Sequence, residues 1–264
     1  MIGAIIGDII GSRYEFDHIP RQGFQLYTDD DAYTDDTVCT IAVADAILNR
    51  KSYRDTLLHW CRRYRHPKGS YGNMFAQWID SANPLPQASW GNGAAMRVSP
   101  VGWLFEDYHE VLDEAKAATE VSHCHREGIK GAQCVATLIY WLRTVRITKN
   151  EVENAVRRTF GYVLPSLEDI YKIGGEGHFD ASCQETVPWA IRCFLESSSF
   201  EDAIRIAVMA RGDTDTKAAI TGSIAEAYYN IPDHLVEQAY DYLEPDMLTV
   251  VQQFYERIQQ DLVG

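Results

Sequence analysis

The opening residues, Met1-Ile-Gly-Ala-Ile-Ile-Gly-Asp-Ile-Ile-Gly11, narrow the choice of fold more than any other stretch of the chain. Ile2, Ile5, Ile6, Ile9 and Ile10 fall on one face at helical spacing, and Gly3, Gly7 and Gly11 recur along it at four-residue steps. A glycine stripe of that period lets a second helix backbone approach closely, so this helix belongs at the centre of a helical assembly. Apolar residues keep helical spacing over 37–50, 53–64, 108–121, 127–145, 149–160, 182–197, 200–211, 216–230, 232–243 and 247–262. Clean period-two alternation between turn residues is hard to find. The chain therefore reads as all-α. Two segments resist a helical reading: 65–97, rich in Gly, Asn and Pro, and 161–180, with Pro165 and the Gly174-Gly175-Glu176-Gly177 run. Both are expected to be surface loops. Neither has the composition of an interdomain linker and no tandem repeat is visible, so residues 1–264 are expected to form one compact domain.

Composition removes several classes of function. Hydrophobic residues at 46% and charged residues at 23% are ordinary globular values that exclude wholesale disorder. Thirty-eight Asp and Glu against 24 Lys and Arg give a net charge of -14, which repels a polyanion and argues against general nucleic-acid binding. No run of 18 apolar residues occurs, and the opening segment lacks a basic lead and is interrupted by Asp8, so neither a membrane span nor a signal peptide is expected. The six cysteines show no CxxC and no zinc-ribbon or disulfide spacing, and read as reduced, mostly buried thiols. The expected compartment is the cytoplasm.

Chemistry concentrates in two clusters that echo each other, Thr34-Asp35-Asp36-Thr37 and Asp213-Thr214-Asp215-Thr216, each opening an alanine-rich helical run. Either alone reads as a well-capped helix start. Together they supply four carboxylates and four hydroxyls where capping needs one oxygen each, and the excess calls for a counter-charge. All-oxygen donors without nearby His or Cys select hard cations, Mg2+ or Mn2+ over Zn2+, and two facing helix starts could share two ions. Asp29-Asp30-Asp31, just upstream, fails as a calcium loop because Thr34 and Thr40 stand where Gly and Glu are required, and is expected to be a solvated turn.

Two glycine-containing loops form a second candidate: Gly69-Ser70-Tyr71-Gly72-Asn73, and Trp90-Gly91-Asn92-Gly93-Ala94-Ala95-Met96-Arg97. Their backbone amides can approach phosphate oxygens, and Tyr71 or Phe75 could stack on a base. In His123-Cys124-His125 neighbouring side chains diverge too far to share one ion, so one functional histidine is expected there. The basic run Arg62-Arg63-Tyr64-Arg65-His66-Pro67-Lys68 reads as a solvated helix end.

Gly7-Asp8 through Glu15-Phe16, Thr34-Asp35-Asp36-Thr37, Gly91 to Arg97, Ser122-His123 and Gly212-Asp213-Thr214-Asp215-Thr216 resemble, in order, the motifs of the ADP-ribosylglycohydrolase family. The resemblance implies a compact multi-helix all-α fold with a binuclear Mg2+ centre at one end, Mn2+ being a substitute. It implies an enzyme that hydrolyses the bond between ADP-ribose and a modified acceptor, protein or small molecule, releasing ADP-ribose, with ADP-ribosyl-arginine foremost. Matched residue by residue, the metal ligands implied are Thr34, Asp35, Asp36, Asp213, Asp215, Thr216 and Glu15. Gly91, Asn92, Gly93, Met96 and His123 match positions around ADP-ribose, with the Gly69, Ser70, Tyr71, Gly72 loop over the diphosphate. Cleavage at the ribose anomeric carbon needs a water and a base, for which Asp35 or Asp36 is expected, and Glu15 is expected to be a ligand that also carries a proton.

Some positions depart from the family pattern. Arg13, Arg126, Arg211 and Lys217 stand where Pro, Pro, Gly and an apolar residue are usual. A cation beside the metal-site helix could compete with an ion or bind the acceptor, and the plainer reading has Arg211 and Lys217 pointing to solvent. The alternatives are an ADP-ribose-binding protein without turnover, a hydrolase for serine, nucleic-acid-base or small-molecule acceptors, and a two-metal phosphoester hydrolase.

Overall fold

The computed structural model describes residues 1–16 and 18–263. Its elements are α1 (Ile2–Gly11), α2 (Asp35–Leu48), α3 (Tyr53–Arg63), α4 (Asn73–Asp80), α5 (Gly93–Met96), α6 (Ser99–Leu104), α7 (Tyr108–Glu120) and α8 (Arg126–Tyr140), the last running into a π-helical turn (Trp141–Val145). There follow α9 (Lys149–Phe160), α10 (Leu167–Gly175), α11 (Cys183–Glu196), α12 (Phe200–Met209), α13 (Thr214–Glu226), α14 (Asp233–Tyr240) and α15 (Pro245–Val263). Among the described residues β structure is limited to two isolated bridges, Gln87 to His123 and Gly91 to Ser182. The all-α expectation holds.

Every residue of α1 is buried, as a helix that is apolar all round must be. Its glycine stripe meets α13 backbone to backbone. A Cβ on Gly7 would lie 2.1 Å from the Ala218 carbonyl oxygen, one on Gly3 2.3 Å from that of Gly222, and one on Gly11 2.6 Å from the Asp215 Cα. No other residue fits at these three positions without parting the helices. Around this pair pack α2 and α14 on the α1 side and α11, α12, α8 and α5 on the α13 side, all feeding one hydrophobic core. The close approach at Gly11 presses the end of α1 against the Asp213–Thr216 cluster and so brings the first helix to the second set of carboxylates.

Both expected loops contain helix. Within 65–97, α4 forms on Phe75, Trp78 and Ile79, apolar at i, i+3 and i+4, and α5 is a single turn on buried Ala94, Ala95 and Met96. Within 161–180, α10 starts on a Ser166 cap to the Asp169 amide and packs Gly174 so tightly that a Cβ there would lie 2.0 Å from the Ala210 carbonyl oxygen. Helix α6 was not anticipated. These elements are short and take their stability from burial, which a periodicity search over long windows does not register.

The acidic turn needs correction too. Asp29 and Asp30 are exposed, whereas Asp31 is buried; it accepts the Thr28 amide at 2.7 Å and lies 3.5 Å from the Arg13 guanidinium. Arg13 itself is buried, with its other contacts to Tyr14, Thr28 and the Gln25 carbonyl. Lys217, expected at the surface, is completely buried, and Arg211 is half-buried.

Candidate active site

The site is built where α1, α2 and α13 meet. Thr34 caps α2, its hydroxyl accepting the Asp36 amide at 3.2 Å. The remaining open amides of that helix start are answered from another element. Asp8, mid-way along α1, accepts the Thr34 amide at 2.9 Å, the Thr37 amide at 3.1 Å, the Thr34 hydroxyl at 2.7 Å and the Thr37 hydroxyl. Because Asp8 does the capping, Asp35 and Asp36 are released from it.

At α13 the Asp213 side chain makes no cap bond to its own helix. Its Oδ2 accepts instead from Asn92 Nδ2 at 2.7 Å, while the same nitrogen reaches Thr186 Oγ1 at 3.0 Å. Thr214 ties the helix to the Gly11 carbonyl at 2.9 Å, and Thr216 Oγ1 donates to Asp36 Oδ2 at 3.1 Å, joining the two sequence clusters directly.

Two overlapping groups of carboxylates result: Asp8, Asp36 and Asp215, and Glu15, Asp213 and Asp215, with ligand atoms of each group within 4.8 Å of one another. Asp215 belongs to both. Asp36 Oδ1 and Asp215 Oδ1 are buried and accept no hydrogen bond. Burial first, and neighbouring carboxylates second, push Asp36 and Asp215 well above the usual carboxylate range. Asp35 is raised by burial and by the groups around it, Cys39 foremost and then Asp8. Glu15 rises to about 8 through burial and the proximity of Asp213 and Asp8. Asp8 reaches about 6, burial being opposed by its bonds from Thr37 and Thr34. Orphaned carboxylate oxygens, an all-oxygen donor set and mutual repulsion are what a hard divalent cation relieves, so the residues fit such ions.

These groups form the foot of a cavity of about 460 Å³. Glu15, Asp35, Asp36, Asp213, Asp215 and Thr216 line it, together with Gly69, Ser70, Tyr71, Gly72, Phe75, Gly91, Asn92, Gly93, Met96 and His123. Thr34 is the one expected site residue that does not, since its hydroxyl is spent on Asp8 and on capping. Tyr71 and Phe75 are buried and held in place on the cavity wall: the Tyr71 hydroxyl donates to the Tyr64 carbonyl at 2.8 Å, and Trp78 stacks on the Phe75 ring at 5.3 Å. The basic run turns elsewhere, Arg65 onto Asp80 and Arg62 onto the carbonyls of Ile79 and Ser81.

His123 is fixed by a relay that the sequence does not announce. Arg97, which closes α5 and is fully buried, reaches the C-terminal end of α7 and donates to the carbonyls of Ala118 and Thr119 and to Ser122 Oγ at 2.7 Å. Ser122 Oγ lies 2.9 Å from His123 Nδ1. The serine thus links the buried guanidinium to the imidazole and fixes the orientation of the ring. The other ring nitrogen, Nε2, faces the glycine loop, 3.3 Å from where a Gly93 Cβ would stand. Burial, reinforced by Arg97, holds the His123 pKa well below the ordinary histidine value. Five residues to which the sequence assigns no site role thus contribute: Asp8, Arg97, Ser122 and the stacked pair Phe16–Phe179 on the cavity wall. Asp8 alone has a signal, as a lone carboxylate inside an otherwise apolar helix.

Comparison with known proteins agrees with this construction. The ADP-ribosylglycohydrolase family model matches residues 1–262. The chain is 25% identical to ADP-ribosylarginine hydrolase Tri1 of Serratia proteamaculans, over 90% of this chain and 74% of that one. It is 23% identical to the ADP-ribosylhydrolase ARH3 of Mus musculus (94% and 88%) and of Homo sapiens (94% and 90%). A solved ADP-ribosylglycohydrolase-related protein complex superposes with a TM-score of 0.69 over 97% of both chains at 23% identity, which establishes a common fold. Carboxylates drawn from α1, α2 and α13 onto one cavity, within a family match that runs nearly end to end, place this chain in the ADP-ribosylglycohydrolase family, whose members are hydrolases of ADP-ribose glycosidic bonds.

Proposed function

We propose that the protein is a divalent-cation-dependent ADP-ribosyl-acceptor hydrolase, with Mg2+ as the working ion, Mn2+ as a substitute and ADP-ribosyl-arginine on protein as the acceptor. The observation that carries the reading is the pair of carboxylate groups sharing Asp215, with buried unpartnered oxygens on Asp36 and Asp215, at the foot of the cavity. Asp36, Glu15, Asp213, Asp215 and Thr216 would hold the cations. When bound, they supply a Lewis-acidic platform that orients sugar hydroxyls and acidifies water.

The chain's own groups divide the remaining work. Asp36 has one oxygen committed to Thr216, whereas Asp35 lies on the cavity wall outside both carboxylate groups. Asp35 is therefore the carboxylate available to take the proton of an attacking water as the ribose anomeric carbon acquires oxocarbenium character. Glu15, on the cavity wall, is the group placed to exchange a proton with the departing acceptor. His123 and the two glycine loops line the cavity, and there the amides of Gly69, Tyr71, Gly72 and Gly93 are the donors suited to diphosphate oxygens, those of Ser70, Gly91 and Asn92 being bonded to Pro67, Ser89 and Ala181. Support for arginine as acceptor comes from Tri1, whose name describes an ADP-ribosylarginine hydrolase.

The test is release of free ADP-ribose, followed by mass spectrometry, from peptides carrying ADP-ribose on arginine or on serine. Reactions run with Mg2+, with EDTA and with an Asp35→Asn, Asp215→Asn double variant. Mg2+-dependent release from the arginine peptide, lost in the double variant, is expected. Release from serine alone would replace the acceptor, and binding of ADP-ribose without release from either would overturn the hydrolase reading.

A further inference from the structure

The turn that leads into α13 has an unusual backbone. Arg211 and Gly212 both adopt left-handed conformations, φ +58° and +69°. Gly212 is at home there, but a residue with a Cβ is not. This turn delivers Asp213 to the start of α13 with its carboxylate on Asn92 and in the cavity instead of on its own helix amides.

Lys217 brackets the turn from one helical turn further on. Its backbone N–H donates to the Asp213 carbonyl at 3.1 Å and its ammonium to the Arg211 carbonyl at 2.7 Å. The side chain is completely buried, and its nitrogen sits 4.4 Å over the centre of the Trp189 ring. Among the described residues it forms no ion pair, so the Arg211 carbonyl is its one hydrogen-bond acceptor there. Space beneath is closed: a Cβ on Gly212 would lie 3.0 Å from the Lys217 nitrogen and 2.8 Å from the His178 carbonyl oxygen. A fully buried lysine aimed at the carbonyl of a strained residue two positions before a carboxylate of the site does something for that turn.

We propose that Lys217 is a positioning residue for the cation site: its ammonium clamps the Arg211 carbonyl and holds residues 211–213 in the left-handed turn that aims Asp213. The clamp is required because position 211 carries a side chain. The inference rests on the proposed role of Asp213 and Asp215 in holding divalent cations. The rival account, in which the ammonium acts on the site only through its charge, has the opposite sign: removing a nearby positive charge would tighten cation binding.

Calorimetric titration of the full chain with Mn2+ separates the two. Four proteins are compared: wild type, Lys217→Met, Arg211→Gly, and both substitutions together. Lys217→Met is expected to weaken Mn2+ binding about tenfold, the usual scale for losing a group that orients a metal ligand. Its melting temperature in chelator should not fall, since a buried ammonium gives way to an apolar chain of similar size. Arg211→Gly is expected to bind as wild type does. The double variant should recover to within about threefold of wild type, because glycine holds the left-handed turn unaided. Unchanged or tighter binding in Lys217→Met, or a double variant as weak as that single one, overturns the proposal. If Lys217→Met fails to fold, rescue of folding by Arg211→Gly supports the clamp, and failure of both makes Lys217 a general core residue and overturns it. Absence of Mn2+ binding by the wild type would instead remove the cation reading itself.

Discussion

Ser122 stands between a buried arginine and the imidazole of the site, and its hydroxyl is hydrogen-bonded to both. Burial and the Arg97 charge keep His123 neutral, and the serine holds its ring with Nε2 toward the glycine loop. Ser122→Ala is expected to weaken ADP-ribose binding about tenfold, roughly the ~1.4 kcal/mol of one hydrogen bond, as measured by calorimetry. The same imidazole makes folding depend on pH. Its folded pKa lies well below the ordinary 6.5, because of burial and then Arg97, so below pH 6.5 the unfolded chain takes up a proton that the folded chain refuses. The stability is fully present above that pH and is lost below it, at ~1.4 kcal/mol per pH unit for one proton. Denaturation curves between pH 7.5 and 5.5 should therefore slope less steeply in His123→Gln than in wild type, and parallel slopes would refute the assignment. Asp215→Asn tests the shared carboxylate: ADP-ribose release should fall at least ~100-fold, while the protein in chelator melts no lower, having lost a buried group whose ionised form is disfavoured. Residue types and their grouping were legible in the sequence, since excess carboxylates at two helix starts have no purely structural use. The relay was not, because Arg97 and Ser122 look like an ordinary core cation and a turn serine until packing puts them together.

At the scale of elements, three glycines set the geometry of the site. Alanine is ordinarily favoured over glycine inside a helix by roughly 0.5–1 kcal/mol, but at Gly7 the added methyl would meet the Ala218 carbonyl at 2.1 Å. Gly7→Ala is therefore expected to destabilise by about 1–3 kcal/mol in urea denaturation, the range for overpacking. Gly175→Ala in α10, where a methyl meets nothing within 4 Å, should be neutral or slightly stabilising. A neutral Gly7→Ala would mean that α1 and α13 stand further apart than backbone contact requires. The glycine stripe could be read directly from the sequence because its period coincides with the helix turn. Helices α4, α5, α6 and α10 could not, being short segments that fold only against neighbours. Pro and Gly at their borders read as loop signals, and the buried residues that hold them number only two to four each.

For the whole molecule, a net charge of -14 meets a site that gathers Asp8, Glu15, Asp36, Asp213 and Asp215 in one place. Cations that bind the folded chain alone stabilise it by mass action, ~2.7 kcal/mol at a hundred times the dissociation constant. Scanning calorimetry with excess Mn2+ should thus raise the melting temperature by roughly 5–10 °C over the same sample in EDTA, and no rise would argue against a cation site. The acidic balance read from composition alone anticipated a dependence on cations only weakly, because most of that charge lies on solvated faces. The length of chain between the partners matters for synthesis. Thr214 bonds to the Gly11 carbonyl across 203 residues, and α1 can bury its isoleucines only when α13 arrives. At roughly 5–20 residues per second a nascent chain spends about 10–40 s with its stickiest helix outside the ribosome and no mate. During that interval the growing polypeptide is a client for chaperones, and no fragment ending before α13 can assemble the centre, so premature termination yields inactive protein instead of a weaker enzyme.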